Sequence, residues 1–204
     1  MRLVDLSHPI ADGMPVYPGD EPVALVRHRT RAKDGYTDHR LTAGCHVGTH
    51  VDGPMHLTAS DARVAELPLE HFCGRALCLD VRGRDPVTLA ADELAAIAPG
   101  DRLLLATGFD ARYGTGEYYA EHPVVAPALA EALVARGIAL LGVDAPSPDR
   151  SPFPVHRLLL GAGIPILENL RLAALPAGVP FELLAFPLRL DADSSPVRAV
   201  ARLA

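Results

Sequence analysis

Four short apolar runs constrain this chain more than any other feature: Ala76–Val81, Arg102–Ala106, Ile138–Val143 and Ile164–Leu167. Each has the length of a buried strand and is bounded by turn, breaker or charged residues. Helix signals fill the gaps between them. Thr88 offers an N-cap for a helix over Leu89–Ile97, and Pro99 and Gly100 stop it. Pro127 suits the first turn of a helix that runs to Arg136 and ends at Gly137. A shorter helix over Val155–Leu160 leads through Gly161 and Gly163 into the last run.

The flanks add strands. Leu3–Leu6 reads as a first strand, followed by a turn region from His8 to Asp20 rich in Pro and Gly. Val23–Arg29 and Thr37–Thr42 read as two strands joined by the polar turn at Lys33, Asp34 and Gly35, and Phe181–Arg189 and Val197–Arg202 as two more. No repeat or long linker divides the chain, and 204 residues suffice for a well-packed core. The expected fold is one α/β domain over residues 1–204 with a mixed sheet.

Composition narrows the partners. The net charge of −6, with no basic stripe, argues against nucleic acid. No apolar run is long enough to span a membrane, and Arg2 and Asp5 interrupt the N-terminus where a signal peptide needs an apolar core, so the expected setting is the cytoplasm without a membrane partner. Cys45, Cys73 and Cys78 are an odd and small number for a disulfide framework, and the lack of a CxxC pair disfavours a thiolate zinc site.

The chemistry concentrates in His46-Val47-Gly48-Thr49-His50-Val51-Asp52-Gly53-Pro54-Met55-His56. His46, His50, Asp52 and His56 alternate with other residues, so one extended stretch could present two imidazoles and a carboxylate on one face, with Val47 and Val51 turned to the core. A helix would also join His46 to His50, but Gly48, Thr49, Gly53 and Pro54 oppose one. Imidazole nitrogens and a carboxylate oxygen suit zinc, or manganese at a higher coordination number, and three such ligands leave positions open, as catalytic sites do. His56, beyond the Pro54 turn, can lean over the site and shuttle a proton.

His156 and Glu168 form a second candidate pair. Glu168 directly follows the apolar Ile164–Leu167, where a charge needs a partner or a metal unless it is solvated at the strand end. Cys45 is either a soft extra ligand or a small buried hydrophobe. Asp144 caps a loop or supports the site, and Tyr118 and Tyr119 line a pocket or pack on the surface. His8, His28, His39, His71 and His122 read as solvated or structural.

On these residues the chain resembles the metal-dependent cyclase family that includes the bacterial kynurenine formamidases (arylformamidases). The family pattern His-x-Gly-Thr-His-x-Asp-x-Pro-x-His is met in full by His46 through His56. Asp5-Leu6-Ser7, the Pro15–Asp20 turn, Thr107-Gly108, Gly142–Ser147, His156-Arg157 and Leu167-Glu168-Asn169 look like further landmarks in family order. The resemblance implies a compact β/β/α domain of the swivelling type, dimeric or larger. It implies that His46, His50 and Asp52 hold one metal, with Asp52 bridging to a second that His156 binds and Glu168 reaching both. Two zinc ions per chain are expected, with manganese as the alternative. His56 becomes the proton donor and acceptor.

The implied reaction is hydrolysis of a carbon–nitrogen bond in a small aryl amide, with N-formylkynurenine, a tryptophan catabolite, as the leading substrate. The metal would supply the nucleophile and steady the oxyanion while His56 protonates the leaving amine. Another cyclic or aryl amide, lactone or polyketide is the alternative within the enzyme class. A metal- or ligand-binding module without catalysis is the alternative outside it; that would close the metal shell with protein ligands and leave His56 without a role. The formamidases carry Trp in the N-terminal turn, against the aromatic substrate. This chain has Tyr17 there and no Trp anywhere, which makes Tyr17 the candidate substrate wall.

Overall fold

The computed structural model describes Met1 to Ala204. The strands of the first half are β1 (Arg2–Asp5), β2 (Ala24–Arg29), β3 (Asp38–Thr42), β4 (His50–Asp52), β5 (Cys73–Asp80) and β6 (Arg102–Ala106). Those of the second half are β7 (Leu140–Val143), β8 (Ile166–Glu168), β9 (Phe181–Leu184), β10 (Ser194–Pro196) and β11 (Val200–Leu203). The helices are α1 (Arg31–Asp34), α2 (Ala91–Ala96), α3 (Glu117–Ala120), α4 (Pro127–Arg136) and α5 (Pro154–Gly161). No helix is long and apolar enough to cross a membrane.

The four apolar runs become β5, β6, β7 and β8, four parallel neighbours at the centre of a nine-stranded mixed sheet ordered β1-β11-β9-β5-β6-β7-β8-β4-β10. Period-two alternation sorts their side chains into two cores. Leu77, Leu79, Leu103, Leu105, Leu141 and Val143 pack on one face under α4 and α5. Cys78, Leu104 and Leu140 pack on the other, with Val4, Val51, Leu183 and Ala201. Runs buried on both sides need unbroken apolar sequence, which is why they were legible.

The sheet is curled. Only Val197, Arg198 and Ala199 separate β10, at one edge, from β11, beside the other. Four residue steps span at most about 14 Å, so the two edges must approach each other. Leu6 N–H donates to Ala199 O at 2.9 Å, Arg171 N–H to Leu6 O at 2.8 Å and Val197 N–H to Thr49 O at 3.0 Å, linking the edges across the curl.

Several elements differ from the sequence reading. The helix expected from Thr88 starts at Ala91, where Glu93 rather than Thr88 satisfies the first orphan amide, its carboxylate accepting Ala90 N–H at 2.8 Å. The strand expected to reach Arg189 ends at Leu184. β10 was missed because Ser194-Ser195-Pro196 has poor strand propensity; it forms because β4 offers it a partner. Gly137 closes α4 in the left-handed conformation (φ 69°), as expected. β2 and β3 pair only with each other, and neither has a buried residue.

Candidate metal centre and pocket

β4 and β8 are antiparallel, with His50 opposite Glu168 and Val51 opposite Leu167. Directly opposed residues share a face, and so do residues two apart on one strand. His50, Asp52 and Glu168 therefore converge on one face, while Val51 and Leu167 fill the inner core. Glu168 is the last residue of its strand and is only 5% exposed, so solvation at a strand end is excluded.

His46 reaches the same place by another route. The strand begins at His50, and Gly48 adopts a φ of 57°, a conformation that side chains rarely take. The chain turns there, and His46 enters from the loop rather than along the strand, its Nδ1 2.9 Å from Asp52 Oδ1. Val47 is buried as expected, but in a small separate cluster with Met14 and Val23.

His156 comes from the first turn of α5. Asp149 organises that turn: one carboxylate oxygen accepts the Val155 and His156 amides at 2.6 and 3.2 Å, and the other accepts His156 Nδ1–H at 2.6 Å. His156 Nε2 then faces Glu168 Oε1 at 3.2 Å and Asp52 Oδ2 at 3.6 Å. His50 follows the same rule, donating Nδ1–H to Gly48 O at 2.8 Å and turning Nε2 to Glu168 and Asp52 at 3.4 and 3.5 Å. An acceptor on the outer nitrogen fixes the tautomer and aims the inner lone pair, the usual support of a metal-binding histidine.

The donor set fits a divalent metal. His50 Nε2, both Asp52 oxygens and Glu168 Oε1 are buried without a hydrogen-bond partner, an arrangement that is costly unless a cation satisfies it. Two groups of ligand-capable atoms, from His46, Asp52 and His56 and from His50, Asp52 and Glu168, each fall within 4.8 Å, and Asp52 belongs to both. The site also attracts positive charge in the form of protons. Burial opposes charging His156, but Asp149, Asp52 and Glu168 outweigh it and push its pKa up to about 12. His46, also opposed by burial, is pushed up to about 9 by Asp52 and Asp193. Burial would raise Asp52, yet His50, His156 and His46 hold it well below the usual carboxylate range.

The cluster forms the floor of a cavity of about 230 Å³. Tyr17, Leu57, Tyr119, Phe153 and His56 stand among its walls. Tyr17 meets Tyr119 edge-on, with ring centroids 5.7 Å apart. Tyr118 is fully buried instead, its hydroxyl donating to Asn169 Oδ1 at 2.8 Å. His56 Nδ1 lies 3.2 Å from Asp193 Oδ2, and its ring centroid is 4.2 Å from that of His46.

Of the remaining candidates, Cys45 is half-buried and outside both donor sets. Asp144 caps a loop, accepting the Thr107 and Gly108 amides at 2.9 and 2.8 Å, and burial pushes its carboxyl up to about 6. Sequence reasoning missed Asp149 and Asp193. An Asp shortly before a Pro-initiated helix is a capping signal that could have flagged the first; Asp191-Ala192-Asp193 carries no comparable signal for the second.

Comparison with known proteins places the chain by family and fold. The Cyclase family model matches residues 4–150. Over 98% of this chain and 96% of the other, the fold matches a potential metal-dependent hydrolase with cyclase activity at TM-score 0.82 and 28% identity. An isatin hydrolase bound to the product analogue thioisatinate matches at TM-score 0.85 and 25% identity, over 98% and 91% of the two chains. Isatin hydrolase A from Labrenzia aggregata, bound to benzyl benzoate, matches at 0.82 and 26%, over 98% and 93%. With its sheet order, its motif and its converging donors, this chain belongs to the cyclase family of metal-dependent hydrolases.

Proposed function

We propose that the chain hydrolyses the carbon–nitrogen bond of a small aryl amide, with N-formylkynurenine, cleaved to kynurenine and formate, as the leading substrate. The observation that carries this reading is the convergence of three imidazoles and two carboxylates beneath a cavity walled by Tyr17, Tyr119 and Phe153. His46, His50 and Asp52 would hold one zinc ion, and His156 a second, with Asp52 between them and Glu168 facing both; manganese suits the same donors. Such a metal supplies a water that loses its proton near neutral pH and a positive charge beside the developing oxyanion. Tyr17 and Tyr119 receive the aromatic ring. His56, 28% exposed at its side chain, accepts the proton of the attacking water and returns it to the leaving nitrogen.

A second reading, ring opening of a cyclic aryl amide, draws support from isatin hydrolases among the similar structures. A homodimer or larger assembly accords with the β2–β3 ribbon, because an isolated two-stranded ribbon is marginally stable in water.

The test is to strip the protein with a chelator, reload it with zinc or manganese, and assay N-formylkynurenine, isatin and a non-aromatic formamide. Metal-restored turnover of an aryl amide is expected. Full activity without metal, or turnover of none of these amides, overturns the reading. His56→Ala should retain metal and lose roughly two to four orders of magnitude in turnover; loss of the metal would instead make His56 a ligand.

A further inference from the structure

Asp193 lies outside the motif, on the short approach to β10, yet it touches two of the motif's histidines. Its Oδ2 is 2.8 Å from His46 Nε2 and 3.2 Å from His56 Nδ1. The backbone holds it there: Ser194 pairs with Asp52 across β10 and β4, and Asp193 O accepts Gly53 N–H at 2.8 Å. A Cβ on Gly53 would approach that carbonyl to 3.1 Å, so the glycine permits the clamp. Ser194 Oγ–H donates to Oδ1 at 3.4 Å, which keeps Oδ2 turned to the imidazoles.

One carboxylate oxygen has lone pairs enough to accept two N–H groups. Accepting from His46 Nε2–H leaves the lone pair of His46 on Nδ1, the nitrogen 2.9 Å from Asp52. Accepting from His56 Nδ1–H leaves the lone pair of His56 on Nε2, the nitrogen that can take up and return the catalytic proton. Gly48 O serves His50 in this way, and Asp149 serves His156. Asp193 differs in serving two rings at once.

We propose that Asp193 is a positioning residue that sets the tautomer and orientation of His46 and His56 together, coupling metal retention to proton transfer. The inference rests on the roles proposed above for those two histidines.

The backbone clamp does not need the carboxylate, so Asp193→Ala should fold; its melting temperature checks this. Zinc affinity, measured by chelator competition, should weaken about 10- to 100-fold, the usual effect of losing an outer partner of a ligand. Nitrogen-15 NMR of the zinc-loaded protein should show one dominant tautomer for His56, with the proton on Nδ1, and a mixture in the variant. Asp193→Asn, whose side-chain oxygen can still accept, should recover much of both. With zinc saturating, kcat for the aryl amide should fall while KM holds, and adding Asp193→Ala to His56→Ala should lower kcat little further.

Unchanged zinc affinity together with an unchanged His56 tautomer overturns the proposal. So does an equal loss of kcat in the wild-type and His56→Ala backgrounds. The zinc and NMR measurements need no substrate, so they decide the matter even if the proposed reaction is wrong.

Discussion

Removing the metal should make the protein's stability depend on alkaline pH in a way the loaded protein does not share. In the metal-free state the carboxylates around His46 raise its pKa from 6.5 to about 9. The folded chain then holds a proton that the unfolded chain releases, so this stabilisation is full below about pH 6.5 and is lost as pH climbs through about 9. From about pH 7 to about pH 9.5, some two units of that shift disappear, or about 3 kcal/mol at 1.36 kcal/mol per unit. The side chain of His46 is 28% exposed, little enough for most of that figure to stand. In a chain of this size it corresponds to a fall of roughly 5–10 °C in melting temperature. Bound metal takes the place of the proton, so the loaded protein should lose much less. The assay is a melting series at both pH values, with and without chelator, run beside His46→Asn, which should lessen the metal-free fall by the share His46 carries and leave the part due to His156, whose pKa is pushed up to about 12. Parallel curves for loaded and stripped protein would refute the reasoning, because stability would then not depend on what charge the cluster holds.

Other consequences follow from single positions. Asp52→Ala should release more metal per chain than Glu168→Ala, since Asp52 alone belongs to both donor groups; elemental analysis of the purified variants checks this. Tyr17→Ala should weaken an aryl amide by about 0.5–1.5 kcal/mol beyond the lost area and spare a non-aromatic formamide, while Tyr17→Trp keeps the aryl substrate, as read from kcat/KM for both. In β7, a Cβ on Gly142 would press into Leu104 Cδ2 and lie 2.9 Å from Leu170 Cδ1, so Gly142→Ala should cost about 1–3 kcal/mol in urea unfolding through overpacking.

The sequence revealed most where a physical constraint leaves a local pattern. β5 to β8 were legible because strands buried on both faces need continuous apolar runs, and α4 because Pro127 and Gly137 mark its ends. The motif identified His46, His50 and Asp52, and alternation explained why His50 and Asp52 share a face. It misjudged His46, because one left-handed glycine between two histidines turns the chain without disturbing the residue spacing. Asp193 and β10 were not legible. Their reason for existing lies more than a hundred residues away, in the open edge of β4, and no local propensity records it.

The placement of β10 also bears on how the protein is made. A ribosome delivers the motif early, when β4 has neither of its neighbours, and β8 becomes available only after some hundred further residues. A still later stretch supplies β10, Asp193 and β11, and with them the joining of the sheet's two edges. Contacts this distant in sequence form slowly. A nascent chain can begin its parallel core during translation, but the centre lacks Asp193 and the joined edges until β10 and β11 have emerged, so chains cut short before Asp193 would carry the full motif without the carboxylate that faces His46 and His56.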